Sequence, residues 1–74
     1  MVTQNTGYHG ISEEMVRAGT GRGWSDWFAI LDHWNVLHMG HTITVRRLIT
    51  HYALSEWWAQ AVTFRYERRK GLRM

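Results

Sequence analysis

Hydrophobic and polar residues alternate most clearly between Trp24 and about Trp34, with the period of an α-helix. At about 100° per residue, one face collects three indoles, a phenyl ring and two aliphatic side chains, while the opposite face is polar. This pattern predicts an amphipathic helix with one face in a core. The apolar face consists of Trp24, Trp27, Phe28, Ile30, Leu31 and Trp34, and the polar face of Ser25, Asp26, Asp32 and His33.

A second helix is predicted from His41 to Tyr52, with Val45, Leu48, Ile49 and Tyr52 directed inward and Arg46 and Arg47 directed outward. Ile43 falls on the polar side of this pattern. The β-branched run over residues 42–45 would also suit a strand. Because no second strand signal exists to pair with it, the helix is the preferred interpretation.

The longest predicted helix closes the chain, beginning after the N-cap Ser55 and stopping at Gly71. Arg65, Arg68 and Arg69 project into its apolar arc beyond the tryptophans, so either the helix overhangs the core or arginine stems cover apolar surface while their heads stay solvated. The Trp57-Trp58 pair indicates core filling, with a ligand-stacking platform as the alternative. The inward arc is Trp57, Trp58, Ala61, Val62, Phe64 and Tyr66, and the outward arc is Glu56, Ala59, Gln60, Thr63, Glu67 and Lys70.

The remaining segments complete a small all-α fold: an orthogonal bundle of three main helices plus a short N-terminal helix. Ser12 caps the short helix and Gly19 ends it. Residues 1–10 are predicted to be a flexible arm, and residues 11–74 a single domain. The short Ala53-Leu54 turn makes the last two helices helix-turn-helix-like. The predicted core is Trp24, Trp27, Phe28, Leu31, Leu48, Tyr52, Trp58 and Val62.

The length and composition limit what this chain does. It has 74 residues, enough for one domain with a small core. It contains no cysteine, which excludes disulfides and thiolate metal sites and is compatible with the cytoplasm. No apolar run approaches the roughly 18 residues of a membrane span, and the first ten residues lack the pattern of a signal peptide. A cytoplasmic domain is therefore expected.

Several motifs carry a resemblance to a known family. They are Thr20-Gly21, Trp27-Phe28, Leu31-Asp32, residues 57–60 (WWAQ), Val62-Thr63, Tyr66-Glu67 and residues 71–73 (GLR). With this spacing the chain resembles a small bacterial helical domain family of unknown function, found alone or beside START-like (AHSA1-type) ligand-binding domains. The resemblance covers about residues 11–73. Thr44 replaces a usual aliphatic residue, which predicts looser packing there, and Ala53 replaces a usual glycine, so this turn is not expected to need a positive φ.

Catalysis and metal binding are not expected. His33, His38 and His41 are close in sequence, but a zinc site would need a fourth ligand and fixed geometry; His41 is instead expected to make a hydrogen bond at a helix start. Asp26 and Asp32 are expected to face solvent or to pair with arginines of the closing helix. No nucleophile motif or phosphate-binding loop stands out, so we expect no enzyme activity, no cofactor and no metal.

The uneven charge is the strongest functional sign. Residues 1–45 carry a net charge of −2, whereas residues 46–74 carry seven basic residues against Glu56 and Glu67, a net of +5. This division suits an anionic partner, although internal neutralisation and solubility would also explain it. The favoured interpretation is a nucleic-acid-binding module, and the alternative is a protein-docking module. Its candidate contacts are Arg46, Arg47, Gln60, Thr63, Arg65, Arg68, Arg69, Lys70 and Arg73, with Gln60 and Thr63 as the possible base readers.

Overall fold

The computed structural model describes residues 10–71, apart from the side chain of Leu37. In these residues five helices, one of them only four residues long, are joined by short turns, and no strand is present. Three main helices and a short N-terminal one confirm the predicted all-α bundle. Residues 1–9 of the predicted arm (residues 1–10) and the candidate contact Arg73 lie outside the described residues. The helices are α1 (Glu13–Thr20), α2 (Trp24–Trp34), α3 (Val36–Met39), α4 (His41–Tyr52) and α5 (Glu56–Arg69).

The helix starts follow the capping residues of the sequence. The hydroxyl groups of Ser12 and Ser55 accept hydrogen bonds from the backbone N–H groups of Met15 and Trp58, at 3.1 and 3.2 Å. At the start of α2, the carboxylate of Asp26 accepts from the backbone N–H of Gly23 at 3.2 Å. Each cap satisfies a donor of the first helical turn that has no partner within the helix. Asp26 is therefore structural, rather than a free carboxylate on a polar face.

Gly19 does not end α1, as the sequence predicted, because the helix continues to Thr20 and closes at Gly21 with φ 84°. Gly19 instead lies against the indole of Trp58 on α5, so closely that a Cβ atom added there would overlap the ring. The absence of a side chain at residue 19 thus allows α1 to approach α5. This is a packing role for the glycine and not a turn role.

The turn between α4 and α5 also differs from the prediction. Ala53 has φ 56° and ψ 32°, in the left-handed region, and its N–H donates to the carbonyl of Ile49 at 3.0 Å. This bond closes the end of α4 in the way that a glycine usually does. The geometry places Leu54 in the core, where it is 8% exposed. The turn therefore requires a positive φ although the residue is alanine.

Helices α4 and α5, joined by residues 53–55, form the helix-turn-helix-like pair and make the most extensive contact between helices of the described chain. The α5 helix also packs on α2. Of the eight predicted core residues, Phe28, Tyr52 and Trp58 are half-buried against the core and not inside it. The other five are buried, as predicted: Trp24, Trp27, Leu31, Leu48 and Val62.

The rotation of α5 about its axis differs from the predicted one. Trp57, expected inward, is 47% exposed, whereas Ala59 and Thr63, expected outward, are 0% and 1% exposed. Small side chains at residues 59 and 63 let a neighbouring helix approach closely, which hydrophobicity alone does not reveal. The hydroxyl of Thr63 donates to the carbonyl of Ala59 at 2.8 Å, so its burial leaves no unpaired donor.

The beginning of α4 is tightly packed, contrary to the expectation from Thr44. This threonine is 1% exposed, and its hydroxyl donates to the carbonyl of Gly40 at 2.7 Å. Ile43 is 54% exposed, in agreement with its place on the polar side of the pattern. Ile49, predicted inward, remains 37% exposed. The buried side of α4 is thus narrower than the sequence pattern indicates.

Candidate nucleic-acid interface

A basic cleft lies between α2 and the last turns of α5. Arg65, Arg68 and Arg69 are spaced by three and four residues, so they share one face of α5. Opposite them lie Trp24 and Phe28, one turn apart on α2. These five residues line an open cleft of about 480 Å³, called here the arginine cleft. It joins cationic and aromatic side chains from two helices that are distant in sequence.

The arginine side chains lie on the aromatic rings. The guanidinium carbon of Arg65 is 4.6 Å from the ring centroid of Trp24, and that of Arg69 is 5.3 Å from the centroid of Phe28. The two rings stack on each other at 6.0 Å with an interplanar angle of 26°. Of the two arrangements that the sequence left open, the structure has the one in which arginines cover apolar surface, with Arg68 and Arg69 exposed at their heads.

The backbone of Ile11 fixes one side of the cleft. Its carbonyl oxygen accepts hydrogen bonds from the indole N–H of Trp24 at 3.2 Å and from Nη1 of Arg65 at 3.1 Å. Because both donors share one acceptor, the indole of Trp24 and the guanidinium of Arg65 are held next to each other. Arg65 is thus held by a hydrogen bond as well as by the ring of Trp24, while Arg68 lies over the ring of Phe64 at 6.0 Å.

None of the three cleft arginines has a carboxylate oxygen within 4 Å among residues 10–71. Three carboxylates in that range have other partners: Glu13 pairs with Arg17, Asp32 pairs with Lys70, and Oε2 of Glu67 lies 2.8 Å from Nδ1 of His41. Three guanidinium groups within two helical turns and without acidic partners produce a local positive potential. This positive potential would attract an anion to the cleft.

Lys70 and Asp32 close one end of this region. Oδ1 of Asp32 accepts a 2.6 Å hydrogen bond from the phenol of Tyr66 and lies 3.3 Å from Nζ of Lys70. These two contacts, and then the charges of Lys70 and Arg69, hold the pKa of Asp32 below its usual range. Burial, followed by the bond to Asp32, raises the pKa of Tyr66 to about 12. Asp32 therefore pairs with a lysine of the closing helix and hydrogen-bonds a tyrosine.

Arg46 and Arg47 lie apart from the arginine cleft. Both are exposed on α4 and line a shallow groove of about 210 Å³ whose lining residues are all on α4. The guanidinium carbon of Arg47 lies 5.4 Å from the ring centroid of Trp34. The basic half of the chain thus presents two separate groups of arginines, which the sequence had combined into one set.

The two predicted base readers are not equivalent. Thr63 is buried, and its hydroxyl is bonded within α5, so it cannot contact a base: this assignment was wrong. Gln60 is half-buried, with Oε1 3.4 Å from Nε2 of His41. Nδ1 of His41 lies 2.8 Å from Oε2 of Glu67, so this histidine links α4 to α5 and does not merely bond at its own helix start.

Sequence reasoning had assigned Trp24 and Phe28 to the core alone and missed their place in the cleft. A signal was present in α5: three arginines continue the stripe that Trp58, Ala61 and Val62 begin. Cations on an apolar stripe need either solvent or an aromatic surface. The pattern does not tell which ring each arginine meets, because the contacting residues, such as Trp24 and Arg65, are 41 residues apart in sequence.

Comparison with known proteins adds no assignment, since no family model, curated protein or solved structure matches this chain. The resemblance to the bacterial helical domain family stays a prediction. No helix in residues 10–71 is both long and apolar enough to cross a membrane. Over the same residues, no group of three or more histidine, aspartate or glutamate side chains is arranged to hold a metal ion.

Proposed function

We propose that this domain is a non-catalytic module that binds nucleic acid through the cations of its C-terminal half. The observation that carries the proposal is the arginine cleft, where three guanidinium groups without acidic partners among the described residues lie over aromatic rings. A guanidinium that stacks on a ring has its N–H donors in its own plane and not directed at the ring, so that they can bind phosphate oxygens in pairs. The expected compartment is the cytoplasm.

The acidic residues of α5 do not oppose this proposal. Glu67 is engaged by His41. Glu56 lies nine residues before Arg65, which is about 14 Å along a helix rising 1.5 Å per residue. At that distance, solvent and salt screen most of its effect on a phosphate in the cleft. The carboxylate that does lie near the cleft cations, that of Asp32, is already paired with Lys70 and accepts a hydrogen bond from Tyr66.

Recognition of base edges by α5 in a duplex groove is not supported. In helix-turn-helix proteins the second helix presents side chains near its N-terminal end to the bases. Here Thr63 is buried and Gln60 is engaged by His41. The exposed cations Arg68, Arg69 and Lys70 lie at the opposite end of the helix. Contacts to phosphate, which carry no sequence information, are therefore the expected mode.

The test is a titration at low salt with labelled single-stranded and duplex DNA of mixed sequence. Affinity should fall with salt, with a log–log slope of about −0.9 per phosphate neutralised on duplex and about −0.7 on single strands. Replacing Arg68, Arg69 and Lys70 together by glutamine should weaken binding to all sequences alike. The matched control replaces Arg17 and Arg22, which lie outside the cleft.

A separate variant, Arg46→Gln with Arg47→Gln, measures the contribution of the second group of arginines. If these two arginines act only as part of a diffuse field, their loss should weaken binding less than loss of the cleft cations. Absence of binding near about 100 µM, where non-specific binders usually register, would refute the proposal.

A second candidate function, docking on a protein partner, is favoured by exposed apolar side chains. Trp57 is 47% exposed and Met15 is 52% exposed. Trp34, at the end of α2, does not add to this exposed surface, because it is half-buried against Tyr52, His51 and Arg47. Sedimentation at high protein concentration tests self-docking. If the parent chain sediments as a monomer and Trp57→Gln leaves its sedimentation unchanged, this form of the alternative is removed.

A further inference from the structure

We infer that the arginine cleft binds single-stranded nucleic acid in preference to duplex, with one unstacked base on the ring of Phe28. This inference rests on the proposed function and adds the strand class and the position of the base. It depends on the aromatic wall of the cleft, which phosphate binding alone does not use. The wall is formed by Trp24 and Phe28, and only the second is open enough to receive a base.

The neighbours of the two rings decide between them. Trp24 is 7% exposed, is covered by Arg65 and is bonded through its indole N–H to the backbone of Ile11. Phe28 is half-buried between the ring of Trp24 and the tilted ring of Tyr66, each 6.0 Å away, and the guanidinium of Arg69 lies over it at 5.3 Å. Arg69 is exposed, and within residues 10–71 its side chain meets that ring and the longer-range attraction of Asp32. Its head can turn outward and leave the ring to another planar group.

A nucleotide matches both sets of groups. Its base is planar and stacks on an aromatic ring, as in proteins that bind single strands without sequence preference. Its phosphate is an acceptor for the guanidinium groups, and Arg69, once displaced from Phe28, is placed to bind it together with Arg68. Arg65 and Arg69 are one turn apart, about 6 Å along the helix, so the cleft accommodates about one nucleotide.

A duplex cannot use this wall. Its bases are stacked on each other and present only their edges in the grooves, so the ring of Phe28 would face the sugar-phosphate backbone. A single strand presents base faces without the cost of unstacking a paired helix. The cleft should therefore discriminate between strands through Phe28, whereas the cations act on both.

The experiment measures the affinity of the full chain for single-stranded and for duplex DNA of about 12 nucleotides. Both affinities are measured by fluorescence anisotropy at the same low salt concentration. The test variant Phe28→Leu keeps an apolar side chain and removes the aromatic face. The control Trp57→Leu removes an exposed aromatic that lies at least two helical turns from the cleft arginines. A second variant, Arg69→Lys, keeps the charge but loses the planar fork and serves if Phe28→Leu lowers the helical content.

The expected result is tighter binding of the single strand by the parent chain. Phe28→Leu should then weaken single-strand binding by at least about fivefold, the lower end of the contribution of one base stack, and leave duplex binding nearly unchanged. Trp57→Leu should alter neither affinity. Arg69→Lys should weaken binding of the single strand more than binding of the duplex, because only the nucleotide seated in the cleft uses the planar fork of residue 69, while the charge that attracts both forms of DNA is kept.

Equal or tighter duplex binding, or a strand preference unaffected by Phe28→Leu, would overturn the inference while leaving the proposed function in place. Failure to bind either nucleic acid would remove both. A further titration with adenosine monophosphate distinguishes a free nucleotide from a nucleic-acid strand as the ligand. If adenosine monophosphate binds as tightly as the single strand, the assignment of the cleft to a polymer is overturned.

Discussion

The phenol of Tyr66 donates a 2.6 Å hydrogen bond to Oδ1 of Asp32 and so connects the last turns of α5 to the last turn of α2. Tyr66 is 1% exposed, while the carboxylate of Asp32 reaches solvent and also meets Lys70. Hydrogen bonds to a charged acceptor are the stronger ones in proteins. Because the arginine cleft lies between these same two helices, this contact helps to fix its width.

The first prediction concerns alkaline pH. The pKa of Tyr66 is raised from 10.0 to about 12, so the folded state holds a proton that the unfolded state releases above pH 10. The stability from this group is fully present below pH 10 and is lost as the pH rises toward 12. Thermal melting between pH 9 and about 12 should show a falling midpoint, and Tyr66→Phe should flatten that part of the profile.

The acid side of the same pair has the opposite sign. The pKa of Asp32 is lowered in the folded state from its ordinary value of 3.8, so its contribution is present above that value and is lost as the pH falls below it. Tyr66→Phe removes the largest cause of that shift. For the alkaline experiment, a melting midpoint of Tyr66→Phe that falls with pH as steeply as that of the parent would contradict the assignment of the alkaline loss of stability to Tyr66.

The second prediction concerns the contact between Gly19 and Trp58. Alanine normally stabilises a helix by about 1 kcal/mol relative to glycine, but here an added Cβ would overlap the indole. Gly19→Ala should therefore destabilise the domain, by about 1–3 kcal/mol as for other overpacked sites. Urea unfolding measures the change.

A double-mutant cycle provides the control for Gly19. Replacing Trp58 by Ala removes the ring and should itself destabilise the domain, by somewhat less than the roughly 3–5 kcal/mol of a fully buried tryptophan, since Trp58 is half-buried. In that background Gly19→Ala should become neutral or stabilising. Additive effects of the two changes would show that these residues do not contact each other.

The third prediction concerns the turn at Ala53. A left-handed conformation costs an L-residue about 1–2 kcal/mol, and glycine avoids this cost at the expense of about 0.5–1 kcal/mol in chain entropy. Ala53→Gly should therefore stabilise the domain by roughly 0.5–1 kcal/mol. Ala29→Gly, at an exposed position within α2, is the matched control and should destabilise by about 1 kcal/mol. Equal losses in the two variants would contradict the observed turn.

The fourth prediction separates two modes of nucleic-acid binding by means of Glu56. If the N-terminal part of α5 entered a groove, Glu56→Gln would strengthen binding markedly, because it removes a repelled charge. With the arginine cleft as the site, Glu56→Gln measured at about 0.15 M salt should change the affinity by less than about threefold, because the charge then lies farther away than the Debye length of about 8 Å. The affinities of this variant and of Arg68→Gln with Arg69→Gln, measured side by side, distinguish the modes.

The sequence by itself determined the helices, because their signals are local. The stripe from Trp24 to Leu31 and the caps Ser12 and Ser55 depend on neighbours within one or two turns. The burial of Trp27, Leu31, Leu48 and Val62 was also predictable, since each lies at the centre of the apolar stripe of its helix. Most of the candidate cations were readable from charge alone, although their division into two groups was not.

Only the tertiary structure decided the rotation of α5 and the position of the cleft. Ala59 and Thr63 are inside because small side chains permit close helix contact, a property of the pair of helices and not of one pattern. The left-handed Ala53 likewise reflects the demand of the surrounding chain on a residue with no such preference of its own. Phe28 and Arg69 are 41 residues apart, and no periodicity within either helix encodes their contact, because it depends on how the two helices cross.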